Sequence, residues 1–160
     1  MDAPGRANFN IVPDDPGTPA ARALLAAHLA HSWVQTPETS NHTLDAEKLA
    51  QPGMTFWTVR DAGEIVGCGA LKALDGDEAE LKSMFTATAH RGRGVARAML
   101  AHALSEARRR GFRRVRLETG TMDGYAAARA LYLSHGFHEC GPFGDYVSDP
   151  NSVFMMRVLD

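Results

Sequence analysis

The sequence is poor in the residues that indicate a metal site or a disulfide framework. Among its 160 residues are two cysteines, Cys68 and Cys140, which are far apart and show no Cys-x-x-Cys spacing. The histidines at positions 42, 90, 102 and 135 show no pairing at metal-ligand spacing. We therefore expect two free thiols in a reducing cytoplasm, with no disulfide and no metal site.

Long apolar runs are also absent. The best candidate for a membrane span, residues 20–34, is short and carries Arg22, His28 and His31, which is typical of an amphipathic helix. The first eight residues are polar and include a proline, so we do not expect a signal peptide. Because no repeat or low-complexity tract interrupts the chain, we predict one domain over residues 1–160, with no membrane partner.

The chain has no overall excess of positive charge, since its formal net charge is −2 at pH 7. This balance predicts no nucleic-acid partner. Arginines are nevertheless concentrated between residues 91 and 116, with nine of them against one acid. Arg108 and its two neighbours suit the carboxyl end of a helix, where cations interact favourably with the dipole. The three arginines at the start of this stretch surround a turn with two glycines and would attract a polyanion.

Hydrophobic periodicity and turn signals predict an α/β protein with a mixed sheet of about seven strands. Strands are expected at residues 9–12, 54–60, 64–71, 78–86, 114–119, 137–140 and 153–159. Helices are expected at residues 19–34, 45–50, 92–110 and 126–135. The order strand, helix, strand across residues 78–119 predicts a parallel βαβ unit. The turn-rich segment at residues 141–152 is long enough to shape a site.

The most informative segment is residues 80–96, ELKSMFTATAHRGRGVA, in which a strand leads through a short turn into a helix. A helix amino terminus presents unpaired N–H groups and the positive end of the helix dipole, and glycines let a phosphate approach the backbone. A pyrophosphate site is therefore predicted at Arg91, Gly92, Arg93, Gly94, Val95 and Ala96.

Two other kinds of glycine loop fit this segment less well. A P-loop requires a Lys-Ser/Thr pair after its second glycine, and Val95 and Ala96 stand there. A dinucleotide-binding loop would have a third glycine in place of Arg97 and an acid about 20 residues later. Glu118 leaves this second interpretation incompletely excluded.

Two blocks of residues together resemble the GNAT superfamily of acyl-CoA-dependent N-acetyltransferases. The pattern R-x-x-G-x-A at residues 91–96, preceded by EL at residues 80–81, is similar to the pyrophosphate-binding segment of that superfamily. The pair LY at residues 131–132, followed by GF at residues 136–137, is similar to its helix with a tyrosine general acid. The resemblance implies a largely antiparallel mixed sheet with a central splayed parallel pair and flanking helices. Shorter pieces, such as GCGALK at residues 67–72, look like one bacterial branch of small single-domain members.

The resemblance also implies a cosubstrate and a mechanism. Acetyl-CoA would bind along the splayed strand at Met84, Phe85 and Thr86, where backbone groups would pair with pantetheine. The amides of Met84 and Phe85 would polarise the thioester carbonyl. Tyr132 would protonate the departing thiolate. Glu80 would accept a proton from the attacking amine, directly or through water. No metal takes part.

Structural alternatives exist for both catalytic residues. Tyr132 on a Leu-Tyr helix could serve only core packing, and Glu80 could be a strand residue that pairs with Lys82. Tyr125 stands where many members of the superfamily have an asparagine that contacts the cofactor, which weakens that contact as an inference.

The acceptor is the least defined part of the prediction. The pocket is predicted to have Trp33, His42, Phe143 and Tyr146 as its walls. Related chains often have an arginine where Phe85 stands, and its absence favours an amine without an essential carboxylate.

The predicted function is acetyl transfer from acetyl-CoA to the primary amine of a small molecule, by direct attack in a ternary complex. A protein lysine or N-terminal amine is an alternative acceptor, and a non-catalytic coenzyme A-binding module is an alternative function. A homodimer stays open as an assembly.

Overall fold

The computed structural model describes residues 9–35 and 45–159 and contains seven strands in one sheet. The strands are β1 (Asn10–Pro13), β2 (Met54–Asp61), β3 (Glu64–Ala73), β4 (Glu78–Thr86), β5 (Arg114–Gly120), β6 (His138–Cys140) and β7 (Ser152–Val158). The helices are α1 (Pro19–Gln35), α2 (Ala46–Leu49), α3 (Val95–Arg109) and α4 (Ala126–Ser134). Short 3-10 helices at Thr88–His90 and Asp123–Tyr125 precede α3 and α4 and were not expected from the sequence.

The strand order is β1-β2-β3-β4-β5-β7-β6, and β4–β5 is the only parallel pair among the strands of residues 9–35 and 45–159. The predicted α/β class, mixed sheet and parallel pair are therefore confirmed. Pairing between β4 and β5 runs from Glu78 opposite Arg114 to Leu81 opposite Leu117 and then stops. Both strands continue past this point, so they diverge in the middle of the sheet.

Local signals explain where the long helices begin. Thr18 caps α1, because its Oγ1 accepts a hydrogen bond from Ala21 N at 3.3 Å, and Pro19 occupies the favoured first position. Helix α3 begins at Val95, three residues later than its apolar periodicity suggested. Gly92 and Gly94 have φ values of 78° and 85°, which a right-handed helix cannot include.

The sheet has an apolar cluster on each face. The cluster beneath α3 and α4 is the larger and includes Leu81, Met99, Leu100, Leu104, Leu117, Tyr132 and Met155. The cluster beneath α1 and α2 includes Leu24, Leu25, Leu49, Phe56, Cys68 and Phe85. Each such side chain stabilises the fold by about 1.5–3 kcal/mol when fully buried. We call these two faces the α3 side and the α1 side.

A bulge in β4 changes which face its residues occupy. Two residues of β4, Ser83 and Met84, lie opposite the single residue Gly69 of β3. Ser83 has a φ of 56°, in the left-handed region. As a result Leu81 packs on the α3 side, whereas Phe85 packs on the α1 side. In a regular strand, residues four apart would share one face.

Over residues 9–35 and 45–159, no helix is long and apolar enough to cross a membrane.

Burial raises the pKa of the Cys68 thiol to about 12, so this cysteine is a packing residue.

Candidate active site

The turn before α3 forms an open backbone cradle. Gly92 and Gly94 both have positive φ, and a Cβ added at either position would meet no atom of the described residues within 4 Å. Gly94 is the N-cap, and because glycine has no side chain, it cannot cap the N–H groups of the first turn with one. The first helical hydrogen bond is donated by Ala98 N to Gly94 O at 3.0 Å, so the N–H groups of the first turn lack helix partners. This geometry suits a pyrophosphate.

The two arginines of the cradle have different surroundings. The Arg93 guanidinium donates to Asp61 at 2.8 Å and lies 2.7 Å from His90 Nδ1, so it fastens the turn to the β2–β3 hairpin. The guanidinium of Arg93 is therefore already engaged by protein partners. Arg91 is exposed, and its charge adds to the effect of burial in lowering the pKa of His31 on α1. Arg91 thus lies where α1 approaches the cradle.

The divergence of β4 from β5 leaves a backbone edge open. Phe85 and Thr86 pair with Cys68 and Gly67 of β3 on one side, but they have no partner in β5 on the other. Unpaired backbone groups inside a sheet are costly unless a ligand or water satisfies them. The predicted cofactor-binding residues Met84, Phe85 and Thr86 therefore lie at an edge that an extended ligand with amides can join.

Tyr132 lies on α4 with its side chain buried on the α3 side, at 6% exposure. Its ring packs edge-on against Phe137 with centroids 5.8 Å apart. Burial raises the pKa of this phenol, and the charge of Glu118 raises it further, so Tyr132 is protonated at neutral pH. A buried, protonated phenol within electrostatic range of Glu118 on β5 can donate a proton.

Glu80 lies on the α1 side in a buried hydrogen-bonded group. It is 3% exposed, and its Oε2 accepts from Lys82 Nζ at 2.7 Å and from Tyr146 Oη at 2.6 Å. Lys82 Nζ also donates to Tyr146 Oη at 2.8 Å. The pairing with Lys82, which the sequence left as an alternative for Glu80, is thus present. Tyr146, predicted as a pocket wall, is joined to it.

The segment between β6 and β7 covers part of the α1 side. Phe143 packs against Tyr146 and Phe154 with ring centroids 5.1 and 5.9 Å apart. A cleft of about 580 Å³ runs beside them, lined by residues 72–75, 78, 80, 82 and 143–146. The structure thus brings two of the four predicted acceptor-pocket residues next to Glu80. His42 and the side chain of Trp33 lie outside the part of the chain that the structure describes.

Glu118 is a candidate functional residue that sequence reasoning missed. It lies on β5 just beyond Leu117, where pairing with β4 ends, and it occupies the α1 side because Leu117 packs on the other face. Burial raises the pKa of Glu118 to about 7, Glu80 and Asp149 reinforce the shift, and Lys82 opposes it. A carboxyl with a pKa near the working pH suits a general base. The alternation in β5 could have shown that Glu118 faces away from the core, but not that it is half-buried.

The candidate proton donor and acceptor lie on opposite faces of the sheet. Tyr132 is on the α3 side, whereas Glu80 and Glu118 are on the α1 side, next to the gap between β4 and β5. An anion cradle, an open strand edge and titratable groups on both sides of a gap define a class of protein. The arrangement fits a group-transfer enzyme whose cosubstrate has a pyrophosphate at one end and an extended arm that can enter the sheet.

Comparison with known proteins narrows this class to one family. Residues 23–137 match the model of the Acetyltransferase (GNAT) family, and the chain belongs to this family. The predicted family, the enzyme class of acyltransferases that use acyl-CoA, and acetyl-CoA as cosubstrate are thereby confirmed.

Several curated relatives match over most of their length. The uncharacterized N-acetyltransferase YedL of Escherichia coli is 46% identical over 94% of this chain and 95% of its own. The uncharacterized N-acetyltransferase YsnE of Bacillus subtilis is 47% identical over 86% and 91%. An IAA acetyltransferase of Azospirillum brasilense is 44% identical over 77% and 80%.

Solved structures have the same fold. An acetyltransferase of the GNAT family from Staphylococcus aureus superposes with a TM-score of 0.70 at 21% identity, covering 96% of this chain and 100% of that one. A GNAT family acetyltransferase from Elizabethkingia anophelis with acetyl-CoA bound gives a TM-score of 0.70 at 17% identity, covering 95% and 99%.

Proposed function

We propose that this chain transfers the acetyl group of acetyl-CoA to the primary amine of a small molecule, by direct attack in a ternary complex. The observation that carries the proposal is the arrangement of Tyr132 and Glu118 on opposite faces of the sheet: Glu118 follows the last β4–β5 pair, and its charge acts on the phenol of Tyr132. Direct transfer needs one group that accepts the proton of the amine and another that donates a proton to the thiolate. Two separate side chains can perform these roles in the same ternary complex.

The backbone of the chain binds and orients the cosubstrate. N–H groups of residues 92–96 hold the pyrophosphate, and Arg91 adds positive charge beside them. Acetyl-CoA supplies an activated acyl group as a thioester. The open edge at Met84, Phe85 and Thr86 pairs with the pantetheine amides, and its N–H groups polarise the thioester carbonyl.

Side chains on both faces move the protons. Glu118 accepts the proton of the amine, because its pKa of about 7 keeps a large ionised fraction at neutral pH. Glu80 is the second candidate for this role, but Lys82 and Tyr146 already occupy its Oε2. Tyr132 donates a proton to the thiolate of coenzyme A as it departs.

The acceptor side favours a small molecule over a protein. Phe143 and Tyr146 cover the strands there, and a cleft of about 580 Å³, within the size range of small-molecule sites, borders Glu80 on the same face. One of the relatives named above is an IAA acetyltransferase, whereas the names of YedL and YsnE specify no acceptor.

The test is an assay of acetyl transfer to a panel of primary amines, in which the release of free coenzyme A thiol is measured. We expect turnover with at least one small amine, and we expect Tyr132→Phe to lower kcat about 10²–10⁴-fold. Its acetyl-CoA affinity should change little, because the ring and its packing against Phe137 are kept. Transfer to lysine-containing peptides or protein N-termini alone would contradict the small-molecule acceptor. A Tyr132→Phe enzyme with unchanged single-turnover rate would contradict the acid role.

A further inference from the structure

A histidine on α1 has a buried nitrogen atom without a partner. His28 Nδ1 is one of three buried side-chain polar atoms with no hydrogen bond in the described part of the chain. A buried polar group left unsatisfied destabilises the folded chain. A phenylalanine would make the same packing contacts without a buried polar atom. The nitrogen of His28 therefore requires a ligand or a water molecule as its hydrogen-bond partner.

His28 is next to the reacting region. Its ring stacks on Phe85 with centroids 4.8 Å apart and an interplanar angle of 22°. Phe85 directly follows the β4 bulge and lies at the open strand edge, on the same face of the sheet as Glu118. The row of rings continues through His31, which is 6.1 Å from Phe85 and 6.1 Å from Tyr125.

His28 is uncharged at neutral pH. Burial lowers the pKa of its imidazole to about 4, and the neighbouring His31 adds to this effect. A neutral imidazole has one N–H donor and one acceptor nitrogen, and it cannot hold a carboxylate by charge. A hydroxyl group can both donate and accept, so it complements Nδ1 in either tautomer.

We propose that His28 is a specificity-determining residue, which selects amines with a hydroxyl group near the nitrogen by hydrogen-bonding that hydroxyl through Nδ1. The inference rests on the proposed acetyl transfer to small amines and specifies their chemical class as amino alcohols. In this arrangement the hydroxyl satisfies the buried nitrogen, and the amine is directed toward Glu118 on the same face.

The test uses matched acceptors and a matched variant. 2-Aminoethanol and propylamine differ by a hydroxyl in place of a methyl group, as do 3-amino-1-propanol and butylamine. His28→Phe keeps the ring that stacks on Phe85 and removes both nitrogens, whereas His28→Asn keeps a hydrogen-bonding group. His102→Phe is the control, because His102 packs edge-on against Trp57, away from Phe85.

We expect the wild type to prefer the amino alcohol in each pair by about tenfold or more in kcat/KM, which is the scale of one hydrogen bond. His28→Phe should abolish this preference by raising the KM of the amino alcohol, with the KM of acetyl-CoA unchanged. His28→Asn should restore part of it, and His102→Phe should keep it. The thermal stability of His28→Phe should equal or exceed that of the wild type, because a buried unsatisfied nitrogen is removed.

Three results would overturn the inference. The first is a wild type that shows no preference within the pairs, and the second is a preference that persists in His28→Phe. The third is a more stable His28→Phe with unchanged acceptor kinetics, which would mean that Nδ1 binds only a structural water. A wild type that acetylates no small amine would contradict the proposed function itself. Failure of the proposed function is thus distinguishable from failure of the inference about His28, in which small amines are acetylated without the expected preference.

Discussion

At the residue scale, the proposed role of Glu118 as general base predicts how the activity depends on pH. Burial raises the pKa of this carboxyl to about 7; the charges of Glu80 and Asp149 also raise it, whereas the charge of Lys82 lowers it. A general base must be ionised to accept a proton. The rate of the proposed acetyl transfer should therefore increase as pH rises through the neutral range.

We expect kcat/KM of the wild type to rise with pH along a limb with an apparent pKa near 7. Glu118→Gln should remove this limb and lower kcat/KM about 10²–10⁴-fold, because an amide cannot accept the proton. The measurement is a pH profile of initial rates for both proteins. Glu80→Gln is the comparison and should keep the limb. A limb that is lost in Glu80→Gln and kept in Glu118→Gln would assign the base to Glu80 instead.

Stability supplies a control for this experiment. A carboxyl whose pKa is raised by folding favours the folded state at low pH, and this contribution is lost as pH rises from the unfolded value of 4.5 through about 7. Glu118→Gln should therefore be at least as stable as the wild type above pH 7. A loss of rate in that variant cannot then be attributed to unfolding.

At the element scale, the start of α3 rests closely on β3. A Cβ at Gly67 would lie 2.5 Å from Val95 Cγ1 and 3.0 Å from the carbonyl oxygen of Phe85. Val95 is the first residue of α3, immediately after the cradle. The contact thus couples the position of the anion site to the sheet.

We expect Gly67→Ala to destabilise the fold by about 1–3 kcal/mol and to weaken acetyl-CoA binding, because the added methyl group displaces Val95 or the β4 backbone. Denaturant unfolding and calorimetry measure the two effects. Gly141→Ala is the control, since a Cβ there meets no atom within 4 Å, and it should stay within about 0.5 kcal/mol of the wild type. Normal acetyl-CoA affinity in a destabilised Gly67→Ala protein would mean that the cradle is independent of this contact.

At the scale of the whole molecule, cosubstrate binding and folding are linked. A ligand that binds only the folded chain stabilises it by about 2.7 kcal/mol at 100 times its dissociation constant. A substitution at Gly94 can test this effect, because the space beside Gly94 is open and a side chain at this position would extend into it.

We expect acetyl-CoA to raise the melting temperature of the wild type and to have no such effect on Gly94→Glu, whose carboxylate repels and displaces the pyrophosphate. Gly94→Ala is the matched control: it has the same strain from a φ of 85° but no charge, so it should retain part of the shift. Thermal melts with and without acetyl-CoA measure both. A full shift in Gly94→Glu would contradict the assignment of residues 91–96 to the pyrophosphate.

Local sequence determined most of the architecture. Residues 78–86 were predicted as a strand with the same bounds as β4, and the other strands and the long helices differ from their predictions by up to three residues at an end. Thr18, Pro19 and the glycines before α3 act on their own backbone, so their effect can be read from the chain. The cradle was located for the same reason.

Tertiary structure alone decided the environment of the site. Alternation could not show the bulge at Ser83 and Met84, because it depends on register with β3, and the bulge is what carries Phe85 to the α1 side. The raised pKa of Glu118 and the unpaired nitrogen of His28 depend on burial by distant parts of the chain. Local sequence sets periodicity and turns, whereas burial and cross-strand register arise from contacts that form only when the sheet and helices have assembled.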